Sequence, residues 1–274
     1  MAGRPSVERH LALIAGGGAL PGRAAVEARR QGWRVVAFAF DQAPGLAEQA
    51  DVVVPSGLSD IQAVIERLTA ERASAAVFVG KFWKQRAFAE AERADDAGRR
   101  LGRHGLSDTA LAEMIVVTLS GLGIEVLDQR AFFAPWMAGI GVLTRRAPAA
   151  EEWQEIKHGF VLARHLAGFG IGQTVVRRFG VTAAVEAMEG TDEAIRRGTR
   201  LTGPGAVVVK GVADSQDYRF DIPAVGPATV AAMVEGKASA LAFEGGRVLL
   251  LEREEMIRVA EGAGIAVVSV DPAE

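Results

Sequence analysis

At 274 residues, 49% of them hydrophobic, the chain is long for one core and rich enough for two, so two domains are expected. A formal net charge of −3 makes no electrostatic case for nucleic acid, and the lack of cysteine excludes a disulfide framework and a thiolate zinc site. The opening MAGRPSVERH lacks the apolar core of a signal peptide, and no apolar run approaches the roughly 20 residues of a membrane span. These features predict a soluble, at most peripheral protein of a reducing cytoplasm.

The first predicted element is a buried strand, Leu11 to Ala15 (LALIA), which stops at Gly16, Gly17 and Gly18. After Leu20, Pro21 and Gly22 comes a helical pattern from Arg23 to Gln31, closed by Gly32 in a position suited to a helix C-cap. Trp33 to Phe40 predicts a second strand, Ile61 to Arg72 an amphipathic helix, and Ala75 to Val79 a third strand that ends at Gly80 and Lys81. Leu111 to Gly121 reads as helix and Ile124 to Leu127 as a fourth strand. Apolar strands separated by helices, without polar alternation, predict a parallel sheet covered on both faces, hence a Rossmann-like domain.

In such sheets ligands sit beyond the carboxyl ends of the strands. The glycine run is therefore a candidate cradle for a diphosphate or nucleotide, with the next helix offering N–H groups and a positive dipole end. A plain strand-to-helix turn is the competing reading. The spacing departs from G-x-G-x-x-G, since Leu20 and Pro21 stand where the last glycine belongs, and no Gly-Lys-Ser or Gly-Lys-Thr follows to make a Walker A loop. Asp41, after the second strand, keeps an NAD-linked oxidoreductase as a rival. Lys81 is either a cation for the same anion or an ordinary solvated side chain, as is Lys84. The charge run Glu90 to His104 reads as a solvated helix face or a loop, with a lid as the alternative.

Ala134 to Ala150 mixes proline, glycine and small residues, which sets a boundary near Leu143 to Pro148. The expected division is a nucleotide-binding domain over 1–144 and a catalytic α/β domain over 145–274. Phe132, Phe133, Trp136 and Met137 read as packing between domains or as a wall for an acyl chain. Glu151 to Ala167 is helical and carries His158 and His165, without the H-x-x-x-H pair of a zinc helix, so both read as structural or surface. Strands are predicted at Val181 to Ala187, Ala206 to Val209, Arg247 to Glu252 (beside a hairpin-like turn at Gly245 and Gly246) and Ile265 to Val270. Helices are predicted at Ala228 to Gly236 and Glu254 to Gly264.

Two acidic segments stand out in this second half. Glu186, Glu189 and Asp192 fall within seven positions, and Lys210, Asp214, Asp217, Arg219 and Asp221 within twelve. Gathered carboxylates repel unless a metal, a basic group or a proton settles them, which is the arrangement hydrolytic sites use. The bland reading of the first segment makes Thr191 a helix N-cap with Asp192 and Glu193 beside the positive helix end. For the second it is an Arg–Asp pair in a turn before Pro223, although five charged residues after an apolar strand exceed what a turn requires.

AGGGALP near the start, then GQTVV from Gly172, VEAMEGTDEAIRR from Val185, VVVK from Val207 and QDYRFDIPAVGPATV from Gln216 occur in that order. Together they resemble the two-domain UDP-2,3-diacylglucosamine diphosphatases of lipid A biosynthesis, the type unrelated to metallophosphoesterases, over nearly the whole chain. The resemblance implies a Rossmann-like first domain, a second α/β domain and an active site between them. It implies hydrolysis of UDP-2,3-diacylglucosamine to UMP and 2,3-diacylglucosamine 1-phosphate (lipid X), with water attacking the sugar-side phosphorus and Mg²⁺ as cofactor.

By the same resemblance Asp221, the aspartate of the RFD motif, is the essential acid. Glu189 and Asp192 join it as catalytic candidates, and Asp221 and Asp192 as metal ligands. Gly16, Gly17, Gly18, Leu20, Pro21, Lys81, Gln173, Thr191, Lys210 and Arg219 are the substrate-binding candidates. Relatives carry Gly-Asp-Asp before the last helix of the first domain, where this chain has Gly105-Leu106-Ser107-Asp108. A UDP-linked diacylated glucosamine is the expected partner, with contact at the inner face of the inner membrane and a homo-oligomer compatible with it. A non-catalytic nucleotide-sugar binding protein is the rival from another class.

Overall fold

The computed structural model describes residues 9–57, 61–82 and 108–271. The charge run Glu90 to His104, Lys84 and Ser107 lie outside the described residues. The chain divides into two compact units, Met1–Phe133 with Asp217–Asp221, and Ala134–Gln216 with Ile222–Glu274.

The first unit is built on β1 (Arg9–Ala15), α1 (Leu20–Arg30), β2 (Trp33–Ala39), α2 (Leu46–Gln49), β3 (Val52–Pro55), α3 (Ile61–Ala70), β4 (Ala75–Val79), α4 (Asp108–Gly121), β5 (Glu125–Val126) and α5 (Arg130–Phe133). Its strands lie in the order β3-β2-β1-β4-β5, every neighbouring pair parallel. Buried runs such as LALI in β1 and VVAF in β2 explain this, because a parallel sheet carries cover on both faces. The expectation omitted β3, a four-residue edge strand ending in proline, a residue that sheets confine to edges. Successive connections run outward from β1 to β3, then return past β1 to β4. The reversal of strand order thus falls between β1 and β4, where open α/β sheets form their ligand crevice.

The second unit holds β6 (Gly141–Val142), α6 (Ala150–Gly168), β7 (Thr174–Arg178), β8 (Val181–Val185), α7 (Thr191–Thr202), β9 (Val207–Lys210), β10 (Ala224–Val225), α8 (Pro227–Glu235), β11 (Ala240–Glu244), β12 (Leu249–Leu250), α9 (Arg253–Gly262) and β13 (Ala266–Val270). Six of these strands form a mixed sheet, β6-β13-β11-β9-β7-β8. Its centre, β9-β11-β13, is parallel, and β7, β8 and β6 join it antiparallel. Ile156, Phe160 and Ala163 of α6 pack on Val175, Val207, Val209, Ala240 and Ala266 to form this unit's core.

The predicted strand Arg247 to Glu252 is corrected. Only Leu249–Leu250 is extended, and it pairs with Ala224–Val225 in a separate two-stranded sheet. The strand of the main sheet lies just before it, at Ala240–Glu244, and the left-handed backbone of Gly246 (φ +70°) lies in the turn that follows it. Alanine is a weak strand former, which is why ALAFE gives little signal.

Candidate functional site

At the first unit's sheet, the carboxyl ends of β1 and β4 are stitched together by backbone. Gly16 donates its N–H to Val79 O (2.8 Å), Gly17 and Lys81 exchange hydrogen bonds (2.9 Å each), and Gly18 donates to Gln42 O (3.1 Å). A Cβ on Gly16 would lie 2.7 Å from Lys81 O, and one on Gly80 2.9 Å from Gly16 C. The glycines are therefore needed for the close approach of two loops at the switch point. Their N–H groups are taken by carbonyls, so the backbone cradle read from the sequence is not formed by these three amides. Leu20 and Pro21 open α1 directly after them, with proline inside the first turn, where its missing N–H costs nothing. Asp41, the basis of the NAD reading, accepts the N–H of Gln42 (2.8 Å), as an aspartate in a turn commonly does.

Asp217–Asp221 belongs to this same unit. Phe220 packs its ring against Phe78 near the end of β4, centroids 5.0 Å apart, and joins the core cluster around Phe38, Val64 and Leu119. Tyr218 is buried, accepts the N–H of Gln129 at its carbonyl (3.0 Å) and lies under the Arg130 guanidinium at 4.0 Å. The order Asp-Tyr-Arg-Phe-Asp alternates polar and aromatic residues, and here both aromatics are anchored while Asp221 stays exposed. That period of two was the signal for the anchors, masked by the charges between them. Asp221 is thus displayed beside the carboxyl ends of β4 and β5. Arg219 is forked onto Asp217 (2.7 and 2.9 Å), and it holds that carboxyl below the usual range against a smaller upward push from burial.

In the second unit the candidate chemistry gathers at the ends of β7, β8 and β9. Thr191 Oγ1 donates to Glu186 Oε1 (2.8 Å) and accepts from Lys210 Nζ (3.2 Å), while the Gln173 N–H reaches Glu186 Oε2 (3.4 Å). Lys210 is only 5% exposed, and the carbonyl of Gln173 takes the N–H of Gly211 (2.9 Å). So Gln173, Thr191 and Lys210 are brought together, around Glu186, a carboxylate the sequence singled out without giving it a role. Gly172 lies against the Glu186 peptide, where a Cβ would sit 2.7 Å from its carbonyl carbon and closer still to its oxygen.

The N-cap reading of Thr191 shifts by one residue. Gly190 (φ +83°) is the cap and Thr191 the first helical residue, its hydroxyl turned to Glu186 and Lys210. Asp192 stands half-buried in that first turn, beside the positive end of α7. Glu189 is ion-paired with Arg197, which also donates to Val185 O (2.8 Å). Burial pushes the Glu189 carboxyl up, but the hydrogen bonds and charge of Arg197 outweigh it and the net shift is downward. His158 and His165 each bond the carbonyl four residues earlier on α6, the structural role expected of them. Among the described residues no group of three or more His, Asp or Glu gathers to hold a metal.

One charged cluster carried no sequence signal. Glu244, fully buried at the end of β11, lies between Arg164 of α6 (2.9 Å) and Arg247 (2.9 Å).

Comparison with known proteins divides the chain near the same point, except that Asp217–Asp221 falls within the second match. Residues 10–136 match the LpxI N-terminal domain and residues 139–268 the LpxI C-terminal domain. A protein of Caulobacter vibrioides, UDP-2,3-diacylglucosamine pyrophosphatase LpxI, is 30% identical over 291 aligned positions, covering 97% of this chain and 99% of that one. Solved structures give only slight likenesses. UDP-N-acetylmuramate:L-alanyl-gamma-D-glutamyl-meso-diaminopimelate ligase from Neisseria meningitides is 13% identical, with a TM-score of 0.29 over 95% of this chain and 77% of that one. Glycinamide-RNase-transformylase T from Mycobacterium tuberculosis is 16% identical, with a TM-score of 0.25 over 65% and 44%.

Proposed function

The chain belongs to the LpxI family, and on that premise we infer that it hydrolyses the diphosphate of UDP-2,3-diacylglucosamine, releasing UMP and 2,3-diacylglucosamine 1-phosphate. The observation that carries this reading is the likeness to the Caulobacter vibrioides diphosphatase over nearly the full length of both chains. The RFD segment lends it support. Its aromatics are anchored in the first unit and its aspartate is exposed, which is how a reactive carboxylate is held still and yet reached by substrate.

In the reaction proposed, water oxygen attacks the sugar-side phosphorus. The bond from that phosphorus to the bridging oxygen breaks, and the bridging oxygen leaves on UMP. The demand on the protein is charge neutralisation and orientation of the water. Lys210, buried and steadied by Thr191, supplies a fixed positive charge suited to a phosphate oxygen. Arg197 and Arg219 are already paired with Glu189 and Asp217, which largely neutralise their charge.

Magnesium is the metal we propose, held by Asp221 together with substrate phosphate oxygens and waters. Among the described residues no three acids gather, and magnesium takes only one or two carboxylates. When bound, it neutralises charge on the diphosphate. The substrate carries two acyl chains, so we place the protein in the cytoplasm, at the inner face of the membrane. No helix among the described residues is long and apolar enough to cross a membrane.

The test is turnover of UDP-2,3-diacylglucosamine with magnesium, wild type beside Asp221→Ala. UMP and lipid X should come from the wild type and fall by about 10³-fold or more in the variant, whose exposed position leaves stability within about 0.5 kcal/mol. Equal turnover would move the role away from Asp221, and no product from either folded protein would refute the activity. Hydrolysis in ¹⁸O water should label lipid X, and label in UMP would overturn the stated point of attack.

A further inference from the structure

The turn after Lys210 is held from three directions. Gly211 donates its N–H to the carbonyl of Gln173 (2.9 Å), Val212 donates to Glu244 Oε1 (2.9 Å), and Arg247 bonds the carbonyl of Ala213. Glu244 Oε1 also takes Arg164 Nε (2.9 Å), and Oε2 takes Arg247 (2.9 Å). Both carboxylate oxygens are therefore occupied, and the side chain has no exposed surface. Gly211, Val212 and Ala213 are themselves buried.

Burying a carboxylate between two guanidiniums adds little to stability over a well-packed apolar core, yet removing one partner is costly. Such a cluster earns its place by fixing geometry. What it fixes here is the peptide that follows Lys210, tied at its first N–H to Gln173, in a strand register that sets Lys210 opposite both Phe243 and Thr174. The same stretch then leads, by Gln216, into Asp217–Asp221.

We propose that Glu244, acting with Arg164 and Arg247, is a positioning residue for the diphosphatase reaction: it holds the Gly211–Ala213 turn and so sets Lys210 and Gln173 in their working places. The inference rests on the activity proposed above. Glu244→Gln is the sharpest change, since it keeps an oxygen for the Val212 N–H and removes the charge between the two guanidiniums. Arg247→Lys keeps the charge beside Glu244 and gives up the fork that reaches the turn carbonyls.

For both variants kcat per folded protein should fall at least about ten-fold with KM within about three-fold, because displacement of a site group by a fraction of an ångström is costly to rate. Glu155→Gln serves as comparison. It breaks a different pair, the partly buried Glu155 with the buried Arg177, which ties α6 to the β7–β8 turn through Gly180, and it should lower stability with kcat unchanged. Hydrogen exchange over residues 211–216 supplies a readout independent of turnover, and it should accelerate in Glu244→Gln and Arg247→Lys and stay slow in Glu155→Gln. Wild-type exchange at the turn, or wild-type kcat alongside lowered stability, would overturn the proposal. Should Glu244→Gln fail to fold, Arg247→Lys decides by the same two readings. A wild type that releases no UMP refutes the activity, while the exchange measurement still decides whether Glu244 holds the turn.

Discussion

Gly172→Ala isolates one close approach on which the Glu186 cluster depends. A methyl at this position meets the Glu186 peptide with 2.7 Å to its carbonyl carbon, where ordinary contact begins at 3.4 Å. Backbone gives way less readily than a side chain, and the carbonyl oxygen lies nearer than the carbon, so the end of β8 must move by more than about 0.7 Å, a displacement of the size that overpacking forces on a core. The steric cost is about 1–3 kcal/mol. It is offset by about 0.4–1 kcal/mol from the stiffer unfolded chain that alanine brings. A net loss of up to about 2.6 kcal/mol follows, read as a lowered urea midpoint at unchanged slope.

The larger effect falls on activity. Glu186 receives both the Gln173 N–H and the Thr191 hydroxyl, and Thr191 in turn receives Lys210, so moving that peptide displaces every member of the cluster. Turnover of UDP-2,3-diacylglucosamine should fall by about 10–100-fold. Gly168→Ala is the control: it ends α6, its added methyl meets nothing within 4 Å, and it should be neutral or stabilising with full turnover. Wild-type stability and turnover in Gly172→Ala would refute the argument that this approach holds the cluster.

Two further changes test other parts of the molecule. Phe220→Ala removes the ring packed on Phe78; because Phe220 is only half-buried, the cost should be about 1–3 kcal/mol by denaturation, with turnover lowered further as Asp221 loses its neighbouring anchor. Full turnover would show that the aspartate is held by other means. Glu152→Gln addresses pH. Burial pushes the Glu152 carboxyl up, but Arg146, Ser239 and the Ala149 N–H outweigh it and leave it below its ordinary 4.5. A depressed carboxyl stabilises the fold above its unfolded value and ceases to as pH falls through its folded one. The wild type should therefore exceed Glu152→Gln by about 1–2 kcal/mol at pH 7, with the gap closing below pH 4.5. A gap that persists in acid would refute the linkage.

The strands with continuous apolar runs were legible in the sequence, Ala75–Val79 to the residue, because burial on both faces leaves no polar position to confuse the period. Short or weakly apolar strands were not: Val52–Pro55 is a brief edge, Thr174–Arg178 ends in two arginines, and Ala240–Glu244 has alanine at two of its five positions and closes on a buried glutamate. The candidate site was legible as residue types in motifs, and Gln173, Thr191 and Lys210 do meet. Two things lay beyond the reach of local pattern. That Glu244 finds Arg164 depends on α6 crossing the sheet, and that Phe220 finds Phe78 depends on the chain's return to a unit it left at Phe133. Long-range pairing of this kind leaves no periodic trace.

That return has a consequence for inheritance. The first unit is completed only by five residues encoded far downstream, inside the stretch that matches the LpxI C-terminal domain. A gene cut between Phe133 and Ala134 would yield a first half lacking Tyr218 and Phe220, and a second half carrying them with neither Arg130 nor Phe78 to receive them. Exchange of halves between relatives would likewise bring together partners selected apart. Contiguous as its two matched segments look along the sequence, the first unit needs residues from both, and surviving recombinants should keep the residue pairs 78 and 220, and 130 and 218, from a single parent.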